Sequence, residues 1–442
     1  MAFSGLDIYK LLPKTNCREC GLVTCLAFAM QLAKKAASID KCPYLSTEAK
    51  KALEESALAP IKLITIGTGN SKLEVGNETV LFRHEEKFHH PCGLGFIIED
   101  SLGDSEIKER LDKINKLVFE RVGQELKVNL VAVRQTGDKE KFIRATELVF
   151  NNTQLGLVLM SEETEALKEA LIKVRERKPL IYHATLENMA VVSKLAQEFQ
   201  CPLVATALDL DKLSSLTREL NSQGVGELVL DVGATSLKDK IWDLTQIRRR
   251  ALKKSDRSLG YPTLSIIENE DPYEETMEAA TCIAKYANIV LIKGIEPAEV
   301  LSLLTLRQNI YTDPQKPLQI EPKLYPVGKA GDKSPVLVTT NFSLTYYTVL
   351  GEVEASKIPS FIISVDTEGM SVLTGWAAEK FTPEKITDSI NKAGLAEVVS
   401  HKRLIIPGYV AVMSGDLEDK SGWQVVVGPK EAAGIPSFLK NL

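Results

Sequence analysis

The sequence predicts an α/β chain of three parts: a small N-terminal cysteine module, a central (β/α)8 TIM barrel and a C-terminal doubly wound α/β domain. Three observations lead there. Four of the seven cysteines fall between Cys17 and Cys42. Strand-length apolar runs then alternate with amphipathic segments, the pattern of parallel βα units. Finally, three prolines between Pro317 and Pro326 set off a last group of four apolar runs. The implied boundaries are 1–58, 59–314, a linker at 315–327, and 328–442.

A chain of 442 residues fits two to four domains, at about 100–200 residues each. Its 44% hydrophobic and 26% charged content is that of a soluble globular protein. The net charge of −5 points to no nucleic-acid partner. The start, MAFSGLDIYKLLPK, lacks the charged-then-apolar layout of a secretory signal. No apolar run reaches the roughly 18–20 residues that cross a bilayer. No membrane partner and a cytoplasmic location are therefore expected.

The cysteine count is too low for a disulfide framework. Cys92, Cys201 and Cys282 are scattered and read as small buried hydrophobes. The remaining four follow Cys17-x2-Cys20-x4-Cys25-x16-Cys42, with Pro43 after the last. Two thiolates of a Cys-x2-Cys turn meet at one metal centre, and Gly21 lets the backbone curl around it. Cys25 opens a helix whose Leu26, Phe28, Ala29, Leu32 and Ala36 are placed to pack over that centre. Structural zinc sites usually pair two short knuckles, whereas here only one exists. The fourth ligand lies beyond a helix, which suits an iron–sulfur cluster, [4Fe–4S], better than one ion. The spacing matches neither common ferredoxin pattern, so zinc stays open as the alternative. Residues 1–45 carry six Lys/Arg against three Asp/Glu, which offsets the negative charge of a thiolate-ligated cluster.

A helix is expected from Ser46 to about Ala57, and Ala59-Pro60 marks a boundary. Leu63–Ile66 and Thr79–Phe82 read as a preceding hairpin. Eight runs follow: Gly95–Ile98, Val128–Val133, Leu155–Met160, Leu180–Tyr182, Leu203–Ala205, Leu228–Asp231, Leu264–Ile267 and Ile289–Ile292. Segments such as ERLDKINKLVFERVG read as the intervening helices. Chemistry in such a barrel sits at the carboxyl ends of the strands. Those ends offer Glu99-Asp100, His183 and Asp231-Val232-Gly233, which form no recognisable catalytic set. Asp231 is a candidate to orient a ligand, or equally to cap a helix, and a docking scaffold is the expected role.

In the C-terminal domain, strands are expected at Val336–Thr340, Ser360–Val365, Arg403–Ile406 and Gln424–Val427. Helices are expected near Leu344–Glu354, Pro383–Ala393 and Lys430–Leu439. Ligands of doubly wound sheets sit at the strands' carboxyl ends. Here those ends are rich in hydroxyls and glycine. Neither G-x-G-x-x-G nor G-x-x-x-x-G-K-[ST] occurs, so the usual nucleotide fingerprints are missing. Gly369–Gly375 sets Met370, Val372 and Leu373 beside Ser371 and Thr374. That composition suits a large, flat, mostly apolar cofactor with polar edges, or glycines that merely shape turns.

The openings GLDIYKLLPKTNCRECGLVTCLAFAMQLA and CPY, with VLVTTNFSLTYYTVLGEVEASKIPSFIISVDTEGMSVLTGWAAEKF, resemble the large subunits of corrinoid iron–sulfur proteins of the reductive acetyl-CoA pathway. The resemblance spans the chain. It implies a [4Fe–4S] module on Cys17, Cys20, Cys25 and Cys42 and a corrinoid-binding C-terminal domain. It implies corrinoid contacts at Thr339, Thr340 and Asn341, at Gly369, Met370, Ser371, Val372, Leu373, Thr374 and Gly375, and at Gly428, Pro429, Ala432 and Ala433. Tyr346 is a further candidate. The implied function is a methyl carrier that needs partner enzymes. A separate methyltransferase passes it the methyl group of methyltetrahydrofolate, which it delivers to acetyl-CoA synthase/CO dehydrogenase. The implied structural partner is a smaller barrel subunit in a heterodimer. No residue is assigned as catalytic.

None of the five histidines, His84, His89, His90, His183 and His401, lies in an Asp-x-His-x-x-Gly motif. A base-off corrinoid without a protein histidine on cobalt is therefore expected, with Thr374 or its neighbouring backbone below the metal. The cluster then serves to reduce Co(II) back to Co(I). Two rivals remain: an iron–sulfur electron-transfer protein with docking-only domains, and a methyltransferase whose barrel binds the pterin itself.

Overall fold

The structure, a computed structural model, describes residues 5–33, 36–50, 53, 59–234 and 236–442. It divides into two compact units, Met1–Phe119 with Leu126–Tyr311, and Thr312–Leu442 with Glu120–Glu125. The expected helix to Ala57 falls largely outside the described residues.

In the first unit, helices Gly5–Leu11 and Cys25–Ala33 close on a small core of Ile8, Leu12, Phe28, Ala29 and Leu53. A hairpin of β1 (Ile64–Ile66) and β2 (Leu73–Val75) follows, in the register Ile64↔Val75. Its four apolar side chains are buried against Leu130, Leu180, Leu264 and Ile289. These are residues at or near the amino ends of barrel strands, so the hairpin plugs the bottom of the barrel. The expected second strand, Thr79–Phe82, does not form. Arg248 instead takes the Val80 carbonyl and the Glu78 carboxylate, which ties this stretch to a barrel helix rather than to a sheet.

The barrel begins at β3 (Gly93–Glu99). A second hairpin, β4 (Val118–Arg121) and β5 (Gln124–Lys127), interrupts the first βα repeat. It corrects the helical reading of Val118–Gly123, because the helix stops at Asn115. Val122 and Gly123 both have positive φ, the backbone of a tight type I′ turn. The sheet continues through β6 (Leu130–Arg134), β7 (Gly156–Met160), β8 (Leu180–Ala184), β9 (Leu203–Thr206), β10 (Leu228–Asp231), β11 (Leu264–Ile266) and β12 (Ile289–Ile292). Its order is β10-β9-β8-β7-β6-β3-β12-β11, parallel throughout. A parallel bridge between Leu230 and Thr263 brings the two outer strands together. All eight expected barrel strands are present, because strands buried on both faces read as continuous apolar runs.

The second unit is a five-stranded sheet of β13 (Leu324–Val327), β14 (Val336–Thr340), β15 (Ser360–Val365), β16 (Arg403–Ile406) and β17 (Gln424–Val427). The order is β13-β15-β14-β16-β17, and only β13 is antiparallel. The segment expected as a linker, residues 315–327, thus supplies the edge strand. Pro326, which has no amide to donate, is tolerated at an edge. Helices Pro383–Lys392 and Ser414–Ser421 cover one face, over Val336, Val338, Ile363 and Leu404. Helices Ser343–Ser356 and Ile435–Lys440 cover the other, over Leu337, Ile362 and Ile405. The last helix starts at Ile435 rather than Lys430, after a 3-10 turn at Ala432–Gly434. No helix among the described residues is long and apolar enough to cross a membrane.

Candidate functional site

Strand β14 pairs with β15 on one side and β16 on the other. Their connections leave in opposite directions, so the carboxyl ends of β14 and β16 flank a switch point, where open α/β sheets place ligands. A cavity of about 380 Å³ lies at that point. Its walls come from strands β14 and β16, from helix Ser343–Ser356 and from the loops after β15, β16 and β17. Six of the expected residues line it: Thr339, Ser371, Val372, Gly428, Pro429 and Ala432. The walls are otherwise mostly apolar, with Leu337, Phe342, Val349 and Ile405 among them. Thr339 is 1% exposed, and its hydroxyl has no hydrogen-bond partner. Buried polar atoms are almost always paired. This one belongs to a residue of the cavity wall.

The other expected contacts have different places. Thr340 is fully buried and, one residue along the strand, points to the opposite face. Asn341 is a loop organiser. Its Oδ1 accepts from the Thr367 amide at 2.9 Å, the Thr367 hydroxyl at 3.0 Å and the Gly369 amide at 3.1 Å. Its amide group donates to Asp366 at 3.1 Å and Gln319 at 3.2 Å. Gly369 is held at φ +77°, where a Cβ would stand 2.7 Å from Gln319 Cγ. Glycine is therefore needed there for backbone shape. The Met370 carbonyl accepts from Thr367. Tyr346 packs on Tyr325 and Tyr347, and burial pushes its phenol upward. Leu373 and Thr374 are exposed on helix Val372–Ala377, where the Thr374 and Ser371 hydroxyls bond at 3.0 Å. Gly375 is buried against Phe381 and Thr367, and Ala433 is exposed.

Sequence reasoning missed the helical wall, Leu344, Thr345, Thr348 and Val349. Tyr409, at the carboxyl end of a strand, lines the cavity as well. The wall residues carry no signal beyond helix periodicity. His401, the only histidine of Thr312–Leu442, precedes β16. Its ring meets the Ser334 carbonyl at 2.9 Å and the Arg403 amide at 3.2 Å. That places it at the amino ends of the strands, opposite to the cavity loops.

At the N-terminus, Cys17 is exposed, Cys20 and Cys42 are half-buried and Cys25 is buried. Lys14, Asn16, Arg18 and Gly21 all have positive φ. Positive φ at spaced positions is the backbone ingredient of the anion-binding nests found at many iron–sulfur sites. Cys20, Cys25 and Cys42 pack at the same small core, and burial pushes the Cys42 thiol upward against an opposing backbone hydrogen bond at Tyr44. Among the described residues no three metal-ligating side chains are close enough to hold a single ion. Four thiol donors, one of them met by the Asn16 backbone N–H at 3.4 Å, are a donor set that fits a thiolate-bound metal centre.

At the mouth of the barrel the charged groups are mostly paired with one another, while the Thr206 hydroxyl is buried without a partner. Tyr182 donates to Asp231 at 2.8 Å, and the Gly233 amide does so at 2.9 Å. Arg134 and Lys293 pair with Glu268 and Glu99. The Asp100 carboxylate is taken by Thr136 and Gly137. His183 is held low by burial.

Residues 63–439 match the family model "CO dehydrogenase/acetyl-CoA synthase delta subunit", and residues 12–44 match "Putative Fe-S cluster". The chain is 46% identical to the corrinoid/iron–sulfur protein large subunit of Moorella thermoacetica, over all of this chain and 99% of that one. It is 37% identical to the acetyl-CoA decarbonylase/synthase complex subunit gamma of Methanothermobacter thermautotrophicus, with the same coverage. Among solved structures, 7,8-dihydropteroate synthase from Vibrio fischeri aligns with 51% of this chain and 95% of its own, at 13% identity and a TM-score of 0.40. The delta-subunit model leaves out the cysteine module, whereas the two relatives match over the whole length. The chain belongs to the family of corrinoid/iron–sulfur protein large subunits and acetyl-CoA decarbonylase/synthase gamma subunits.

Proposed function

We propose that this chain is the corrinoid- and cluster-bearing subunit of a methyl carrier. It would accept a methyl group from methyltetrahydrofolate through a separate methyltransferase and pass it to acetyl-CoA synthase. A small barrel subunit would be its heterodimer partner, in the cytoplasm. The observation that carries this reading is the apolar cavity at the switch point, with Thr339 and its unpartnered hydroxyl in the wall.

When bound, the corrinoid supplies a cobalt that accepts and releases the methyl group, and the [4Fe–4S] cluster supplies electrons that restore the reduced cobalt. The chain's own residues hold and shape. Thr339, Val372, Gly428, Pro429 and Ala432 enclose the cavity and would hold an apolar part of the cofactor, with Thr339 available for one hydrogen bond. Asn341 fixes the loop that presents Ser371, Leu373 and Thr374. With His401 engaged at the amino ends, no imidazole of this unit is offered at the carboxyl ends. That favours base-off binding without a histidine on cobalt, with Thr374 or its backbone below it. Cys17, Cys20, Cys25 and Cys42 would hold the cluster. The barrel, whose mouth charges are mutually paired, serves as scaffold.

The test is iron and cobalt analysis with an absorption spectrum of the anaerobically purified complex. About four irons and one cobalt per chain are expected for this reading. Iron–sulfur absorption without corrinoid bands would instead support an electron-transfer protein. Tight methyltetrahydrofolate binding by this chain alone would support a self-contained methyltransferase.

A further inference from the structure

We propose that Asn16 is a positioning residue that sets how readily a cluster on the four cysteines accepts an electron, by aiming its own amide at the Cys25 sulfur. The inference rests on the iron–sulfur reading above. Asn16 and Cys25 are paired reciprocally across nine residues. The Asn16 backbone N–H donates to Cys25 Sγ at 3.4 Å, and Asn16 Oδ1 accepts from the Cys25 backbone N–H at 2.8 Å. The side chain thus caps the start of helix Cys25–Ala33, while the main chain reaches the sulfur.

Asn16 has φ +51°, and asparagine is among the few side chains that adopt the left-handed region readily. Lys14 and Arg18 on either side also have positive φ, and the Asn16 N–H is the one that meets the Cys25 sulfur. Cys25 is the buried cysteine of the four. A hydrogen bond counts most where water is excluded. Reduction adds one electron from a low-potential one-electron donor, with no bond made and no proton moved. The added charge is spread over the sulfurs, so a donor aimed at Cys25 stabilises the reduced form more than the oxidised one. Hydrogen bonds to sulfur are among the known determinants of cluster potential.

The experiment is an EPR-monitored potentiometric titration of the full chain, reconstituted anaerobically with iron and sulfide and reduced with titanium(III) citrate. Asn16→Ala removes the brace and the left-handed preference, and Asn16→Gly removes the brace alone. At the wild-type midpoint, Asn16→Ala should show a reduced-to-oxidised ratio about tenfold lower, a shift of about 59 mV for one electron. Asn16→Gly should fall in between. Wild-type midpoints in both variants, at full iron content, would overturn the proposal. So would loss of the cluster in both variants, since Asn16 would then be needed for assembly rather than tuning. A wild-type chain that takes up zinc or no cluster would sink the iron–sulfur reading itself, and the two failures are therefore told apart before any variant is compared.

Discussion

Replacing Thr339 by valine tests whether the cavity is built for a ligand. The substitution exchanges one hydroxyl for a methyl at nearly constant shape. In the free chain that hydroxyl is buried without a partner, and such a group costs about 1–3 kcal/mol. Thr339→Val should therefore stabilise the free sheet, by about 1–2 kcal/mol once partial access of water to the cavity rim is allowed for. That is a factor of about 5–30 in the opening equilibrium. Under the proposed function a bound corrinoid would give the hydroxyl a partner worth about 0.5–1.5 kcal/mol, so the sign would reverse and the ligand would be held less tightly. Hydrogen exchange of the Val336–Thr340 amides reads β14 alone, which avoids treating a chain of several units as two-state. Thr348 supplies the control. It lines the same cavity, yet its hydroxyl already donates to the Leu344 carbonyl at 2.7 Å, so Thr348→Val should bring no gain in the free chain. Equal protection by Thr339→Val with and without corrinoid would refute the reasoning.

Two further outcomes follow from the barrel. Arg248 and Glu78 are 3% and 1% exposed and paired at 2.9 Å, with the guanidinium over Phe88 and Tyr286. Arg248→Met leaves a buried carboxylate unpaired and should cost about 3–5 kcal/mol, and adding Glu78→Gln should recover most of it; exchange of the Leu237–Lys253 amides reads both, and a cost below 1 kcal/mol would contradict the pairing. Burial pushes the Asp231 carboxyl upward against the opposing Gly233 and Tyr182 hydrogen bonds, so the folded chain binds this proton more readily than the unfolded chain, whose aspartate titrates at about 3.9. Its contribution is full below that value and is lost as pH rises through the folded value. Asp231→Asn should consequently gain stability relative to wild type at pH 7 and lose that gain near pH 4, in urea unfolding at both; the reverse order would show that Asp231 is held as an anion.

The eight barrel strands and β14, β15 and β16 were legible because each is largely buried on both faces and so carries its own apolar run; the edge strand β17 is half-exposed and was legible from Val425–Val427 alone. What escaped lacks that signal. Strand β4 alternates exposed and half-buried residues, and Val118-Phe119 continues the apolar spacing of the helix before it. Strand β13 holds Pro326 and only one buried residue, Val327. Its place is set by pairing along β15, which no local pattern encodes. The apolar run Thr79–Phe82 failed for the opposite reason, since its backbone is claimed by Arg248, a residue about 170 positions away.

The same logic explains why the candidate loops were only half readable. Hydroxyls and amides at the carboxyl ends of strands look alike in sequence, yet the fold spends most of them on itself. Asn341 is saturated by five bonds. Thr367 serves the Met370 carbonyl. Ser371 and Thr374 hold each other, and Tyr409 is taken by Glu431. Subtracting these leaves Thr339 as the cavity-lining hydroxyl that is buried and unspent. Composition announces that a loop is able to bind, whereas only the hydrogen-bond account of the folded chain identifies the atom with something left to give.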